Sequence, residues 1–174
     1  METTTFARRA MIAITVLRVL VGWHFLYEGL SKLTAPSWTA AGYLKQAKGP
    51  LAESFRGLAA NPNMLANADL VTMWGLTIVG ACLMLGLFTR LASLAGIAFV
   101  LMFYLAAPPW IGYFYSIPSE GSYLIVNKNL VEVAALAVIF FTRSGHFAGL
   151  DRIVGGLFRR RPVAAPRTPA AVTS

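Results

Sequence analysis

The sequence predicts an all-α membrane protein: a four-helix transmembrane bundle with a long outward loop carrying short amphipathic helices. Two observations lead there. Of 174 residues, 57% are hydrophobic and only 13% charged, with a mean hydropathy of +0.63, too little charge for a soluble domain of this length. Four apolar segments, 10–33, 70–88, 91–107 and 124–141, each reach the roughly 17 to 25 residues that a helix needs to cross a hydrocarbon core of ~30 Å. They define one membrane domain over 1–158, followed at 159–174 by a basic, Pro/Ala-rich tail expected to be disordered and cytoplasmic.

The first span is the most informative. Its run LRVLVGWHFLYEGLSKL carries Arg18, His24, Glu28 and Lys32, and ionisable groups at membrane depth are costly enough to mark function. At about 100° per residue all four fall in an arc of about 120°, so the stripe faces a protein interior or a wet cavity. Arg8 and Arg9 before an apolar run would suit a secretory leader, but Arg18 interrupts the run and no small-residue cleavage site follows, so a retained span is expected. His24 and Glu28, one turn apart, form a natural proton relay because imidazole titrates near neutrality. No metal or haem is expected at His24, since the other histidine, His146, falls on the opposite membrane side.

The first outward loop, Thr34 to Asp69, is too long for a simple connector. Trp38, Tyr43, Leu44, Leu51, Phe55 and Leu58 recur near helical spacing and Gly49-Pro50 breaks the run, which predicts two short interfacial helices with Lys45, Lys48 and Arg56 toward water. A lid that merely shields the bundle end is the simpler alternative. The second and third spans follow. Cys82, alone in the chain, excludes an intrachain disulfide and a Cys-X-X-Cys redox pair, so electron transfer needs a borrowed cofactor. Gly75, Gly80 and Gly86 suit close helix contact within one bundle or between copies, which makes a homo-oligomer a candidate.

The second outward loop, PPWIGYFYSIPSEGSY, brings Trp110, Tyr113, Phe114, Tyr115 and Tyr123. An interfacial aromatic belt explains them; a stacking surface for a planar ring, with Trp110 and Tyr113 as its cofactor-binding candidates, is the sharper reading. The last span opens on Asn127, Lys128, Asn129 and Glu132. Lys128 and Glu132 are four apart and can pair. Lys32 and Lys128 reach the same membrane side, so two ammonium groups and the carboxylates Glu28 and Glu132 converge at one level. Lys32, Asn127, Lys128 and Asn129 are the substrate-binding candidates, and His24, Glu28 and Glu132 the catalytic ones. Snorkelling lysines and a packing network are the structural alternatives.

Arg8, Arg9, Arg90, Arg143, Arg152, Arg159, Arg160, Arg161 and Arg167 share one side of a four-span topology, which predicts cytoplasmic termini. The net charge of +8 therefore sits beside helix ends, where topology and anionic membrane lipid account for it, and no nucleic acid partner is expected.

Arg18 with VGWHFLYEGLSKL, the turn GLFTRLASLAG, and SGHFAGLDRIV resemble the DoxX-like family of small bacterial and archaeal membrane proteins. WTAAGYLKQAKGPL and EGSYLIVNKNLVE resemble its DoxD branch, the small membrane subunit of thiosulfate:quinone oxidoreductase. The resemblance spans roughly Val16 to Val154. It implies a four-helix protein of the inner (cytoplasmic) membrane that works with quinone, oxidises thiosulfate to tetrathionate and passes electrons to the respiratory chain. It also implies a second redox subunit, DoxA-like, because no such module is present in this chain. Lys32 and Lys128, with Arg56, would concentrate the thiosulfate dianion, and a His–Glu pair would deliver protons to quinone. The competing class is a non-catalytic scaffold or anchor for a redox complex; a small-anion transporter ranks third, lacking matched broken spans.

Overall fold

A computed structural model of the chain describes residues 2–116 and 124–158. Tyr123, the Arg159–Arg161 cluster and the tail to 174 lie outside the described residues. Within them all regular structure is helical: α1 (Glu2–Thr34), α2 (Ala41–Lys45), α3 (Ala52–Ala60), α4 (Pro62–Leu85), α5 (Thr89–Ala106), α6 (Lys128–Thr142), α7 (Ser144–Phe147) and α8 (Asp151–Phe158). The protein is an all-helical membrane protein. α1 packs on α4, α4 on α5, α5 on α6, and α6 returns to α1, which closes a ring around a core that includes Phe25, Leu76, Leu83, Val100, Leu136 and Ile139. The opposite face of α1 presents Val16, Leu20, Trp23, Tyr27 and Leu30, all exposed at three- and four-residue steps, the stripe expected against lipid.

Three segments, Thr4–Thr34, Pro62–Leu85 and Thr89–Ala106, are long and apolar enough to cross a membrane. The fourth helix of the ring is shorter than the span expected over 124–141. Its 15 residues rise about 22 Å, less than a hydrocarbon core. The cause is local: Leu124 has φ 64°, and the Asn127 side chain accepts from the Asn129 and Leu130 amides at 3.1 and 3.3 Å, so the helix starts at Lys128. α4 begins earlier than position 70 for the converse reason. Asn61 caps it, accepting from Asn63 and Met64, and Pro62 suits the first turn because its missing N–H is not needed there.

Glycine sets the distance between α1 and α4. A Cβ on Gly80 would lie 2.2 Å from the Leu26 nitrogen, and one on Gly22 would lie 2.8 Å from the Met84 nitrogen. No larger residue allows backbones this close. Of the other two glycines expected at helix contacts, Gly75 faces the Phe99 ring and Gly86 the Arg18 guanidinium; all three are occupied within one bundle.

Arg18 departs from the expected stripe. It is 2% exposed and turned toward the far end of the bundle, where its Nη2 donates to the Ala148 carbonyl at 2.5 Å beside the tight turn at Gly86. There Asp151 accepts from the Phe88 and Thr89 amides at 2.6 and 3.0 Å and returns its own amide to the Gly86 carbonyl at 2.8 Å. Its carboxylate thus caps α5 from 62 residues away, favourable at the positive end of the helix dipole, and holds Phe88 at φ 47°, a conformation that non-glycine residues adopt only under outside constraint. GLFTRLASLAG and SGHFAGLDRIV therefore form a structural clasp. The clasp end of the bundle is opposite the end where His24, Glu28 and Lys32 lie.

Gly80→Leu should separate α1 from α4. Overpacking of this kind costs about 1–3 kcal/mol, so the variant should melt several degrees below wild type in detergent by circular dichroism; an unchanged melt would show that α1 and α4 do not approach this closely.

Candidate functional site

At the end away from the clasp, the segment between α1 and α4 folds as α2 and α3, with the break at Gly49-Pro50 between them, and lies over the ring. Leu44, Ala47, Phe55 and Ala59 form a second small core with Ala106 of α5. Polar contacts pin this roof. The Ala40 amide donates to Asp69 of α4 at 2.8 Å, and the Tyr43 hydroxyl donates to the Phe103 carbonyl at 2.6 Å. The second loop is stitched on in turn: Lys48 donates to the Phe114 carbonyl at 2.5 Å and the Ser116 amide to Gln46 at 2.7 Å.

Beneath the roof is a cavity of about 970 Å³, at the upper end of the range for small-molecule sites. It has two characters. Phe25, Phe55, Leu58, Val71, Leu76 and Phe103 supply apolar wall, while His24, Glu28, Lys32, Asn127, Lys128, Asn129 and Glu132 supply a polar side. All seven polar candidates named from the sequence on the first and last spans therefore line one space. Val71 and Met102 line the cavity and are themselves exposed, so its apolar wall is accessible from outside the bundle core.

Inside, Glu28 pairs with Lys32 and not with His24. Lys32 contacts the Glu28 carboxylate directly and also donates to the Glu28 carbonyl at 3.1 Å, because a four-residue step stacks the two on one helical face. The Lys32 ammonium lies 5.7 Å from the centre of the Trp38 ring, a cation–π distance. His24 instead meets Glu132 across the α1–α6 seam, Nε2 to Oε1 4.0 Å. The histidine side chain is 52% exposed and that of Glu132 17%. Lys128 lies within electrostatic reach of both carboxylates.

Three other candidates are placed differently. Trp110 does not line the cavity; it lies tilted against Tyr113 at 5.7 Å, and Tyr113 is the lining residue of the pair. Asn127 lines the cavity, but its side-chain oxygen is engaged in capping α6. Arg56 sits on α3 with its Nε donating to the Ala52 carbonyl at 3.3 Å, away from the lining. Residues that the sequence did not mark as site candidates also line it: Trp38 and Tyr43 of the roof, Tyr115, and Asn67 and Thr72 of α4. Asn67, Asp69 and Thr72 at the start of an otherwise apolar span were the available signal. Among the described residues no group of three or more His, Cys, Asp or Glu is placed to hold a metal ion.

Outside the spans, burial pushes the Tyr43 phenol well above its ordinary value, and the neighbouring Tyr115 adds to this; Tyr115 is raised by burial as well. Both stay protonated donors at physiological pH, Tyr115 to the Pro108 carbonyl at 3.0 Å.

A family model described as DoxX matches residues 13–109 of the chain. Neither the comparison with curated proteins nor that with solved structures gives a match.

Two predictions follow from the site geometry. Because Glu28 is 45% exposed, the Glu28–Lys32 pair should show a coupling of no more than about 1 kcal/mol in a double-mutant cycle with Glu28→Gln and Lys32→Gln; a coupling several times larger would show a dry, buried pair. Tyr43→Phe should lower stability by about 1 kcal/mol. Since the folded phenol titrates above the unfolded one, the difference from wild type should be full below pH ~10 and shrink as pH rises further, as followed by chemical denaturation across pH.

Proposed function

The chain belongs to the DoxX family, and from that premise we propose that it is the quinone-binding membrane subunit of an oxidoreductase, its cavity receiving a quinone ring from the bilayer. One observation carries the reading: a single cavity of about 970 Å³ joins an apolar, aromatic wall to a side bearing protonatable groups. A quinone requires both, an apolar path for its tail and hydrogen-bonding, protonatable groups at its carbonyls. The charge balance points the same way. Among the described lining residues Lys32 and Lys128 are matched in the unliganded cavity by Glu28 and Glu132, a balance that suits a neutral ligand better than a dianion.

The electron source is read as thiosulfate, oxidised to tetrathionate, on the resemblance of EGSYLIVNKNLVE and WTAAGYLKQAKGPL to the DoxD branch. We read that anion as binding outside the cavity. It would be met instead by a second, DoxA-like redox subunit, which would also supply the route for electrons that a chain with one cysteine does not provide. With the arginine-rich clasp end facing the cytoplasm of a bacterial or archaeal inner membrane, the cavity would face outward.

Decylubiquinone added to the protein in phosphatidylcholine nanodiscs should quench tryptophan fluorescence saturably. The saturable component should vanish in Trp38→Phe, because Trp38 lines the cavity, and the affinity should not change from low to high salt, because the ligand is neutral. Quenching that only rises linearly with quinone, identical in the variant, would mean bulk partitioning and would favour a scaffold role.

A further inference from the structure

The cavity contains two carboxylates in unlike situations. Glu28 is held by Lys32 through its carboxylate, and the same ammonium is bonded to the Glu28 carbonyl and faces Trp38. Glu132 meets His24 across the seam, at 4.0 Å from Nε2 to Oε1, with Lys128 within electrostatic reach. That separation is too long for a hydrogen bond. It is nevertheless the right width for one intervening oxygen: an atom about 2.8 Å from each would see the two groups at an angle of about 90°, a geometry that a carbonyl oxygen with two lone pairs accepts.

Resting on the quinone reading above, we propose that His24 and Glu132 form a two-armed subsite for a single oxygen of a neutral ligand, and that Glu28 with Lys32 is the electrostatic frame around it. The subsite spans the α1–α6 seam, so each arm comes from a different helix. His24 is exposed to the cavity and Glu132 is the more enclosed arm. To hold a carbonyl oxygen, which only accepts, both arms must donate: His24 through Nε2–H and Glu132 through a carboxyl that takes up a proton as the ligand binds. A deprotonated Glu132 would present one acceptor to another.

The pH dependence follows in sign. Binding of a quinone carbonyl should weaken as pH rises and Glu132 gives up its proton. The other charged or titratable groups facing the pair are Glu28 and Lys32 on α1, Lys128 on α6, and Tyr43, Tyr113 and Tyr115 of the roof; the cavity-lining residues of α4 and α5 include none. The tyrosines have ordinary values near 10, and Tyr43 and Tyr115 are shifted upward, so none of these two ionises in the neutral range.

The test titrates decylubiquinone against the full chain in phosphatidylcholine nanodiscs by tryptophan quenching over a range of pH. Wild type should bind progressively more weakly as pH rises. Glu132→Gln, which keeps an N–H donor of the same length, should bind at all pH values with the dependence abolished. His24→Leu should bind about tenfold more weakly, the scale of one lost hydrogen bond. Glu28→Gln should retain the pH dependence, whatever its own affinity. The proposal is overturned if Glu132→Gln keeps the wild-type pH profile or if Glu28→Gln loses it. Infrared difference spectra on quinone binding give a second readout that does not depend on a variant folding: a protonated carboxyl band should accompany binding to wild type, and its absence overturns the proposal. Saturable binding with either contrary result rejects the subsite alone, whereas no saturable binding by wild type rejects the quinone reading and the subsite with it.

Discussion

The rotation of α1 about its own axis is the constraint on which the rest of the molecule depends, and the glycine contact with α4 fixes it. Gly22, Leu26 and Gly29 must face α4, because their backbones touch Gly80, Met84 and Thr77 there. At about 100° per residue, Trp23, Tyr27 and Leu30 are then forced outward to lipid, and His24, Glu28 and Lys32 are left on the remaining flank, toward α6. Were α1 turned by a quarter, the same three ionisable side chains would meet hydrocarbon, at a cost of several kcal/mol each. The costly residues are tolerated because the small ones dictate which way they point.

The same geometry explains why one sequence stripe serves two ends of the bundle. Arg18 lies on the side of the arc nearest α4 and two turns before His24, so it reaches the turn at Gly86 and the Ala148 carbonyl instead of the cavity. With Asp151 it ties the turn between α4 and α5 to the segment after α6. The opposite end of the bundle is covered by α2 and α3.

Composition and periodicity made the helical membrane architecture legible, since a chain this apolar has few other ways to satisfy its backbone. The grouping of Lys32, Lys128, Glu28 and Glu132 at one level was legible too: it needs only the positions of these residues near the end of one span and the start of another. The particular partners were not. A lone helix suggests pairs four residues apart, and this succeeds for Glu28 with Lys32 but fails for His24, whose neighbour comes from a helix more than 100 residues later. The start of α6 was missed because Leu124, Ile125 and Val126 are as apolar as any span residue, while the cap at Asn127 decides where the helix begins. Trp38 and Tyr43 looked like ordinary interfacial aromatics until the roof folded over the cavity and turned them inward.

A charge-balanced cavity changes what the lysines mean. Seen in sequence, Lys32 and Lys128 suggest attraction for an anion. Once Lys32 is bound to Glu28 and Lys128 sits among two carboxylates, neither presents an unopposed positive field, and their effect is to keep a carboxylate tolerable inside a membrane protein. The chemistry then shifts to the pair that is not closed on itself. His24 and Glu132 face each other across a gap wider than a hydrogen bond and narrower than two, in a cavity with an apolar wall. On the quinone reading proposed above, selectivity would come from shape and donor geometry, a property suited to a neutral ring that must be held, protonated and released.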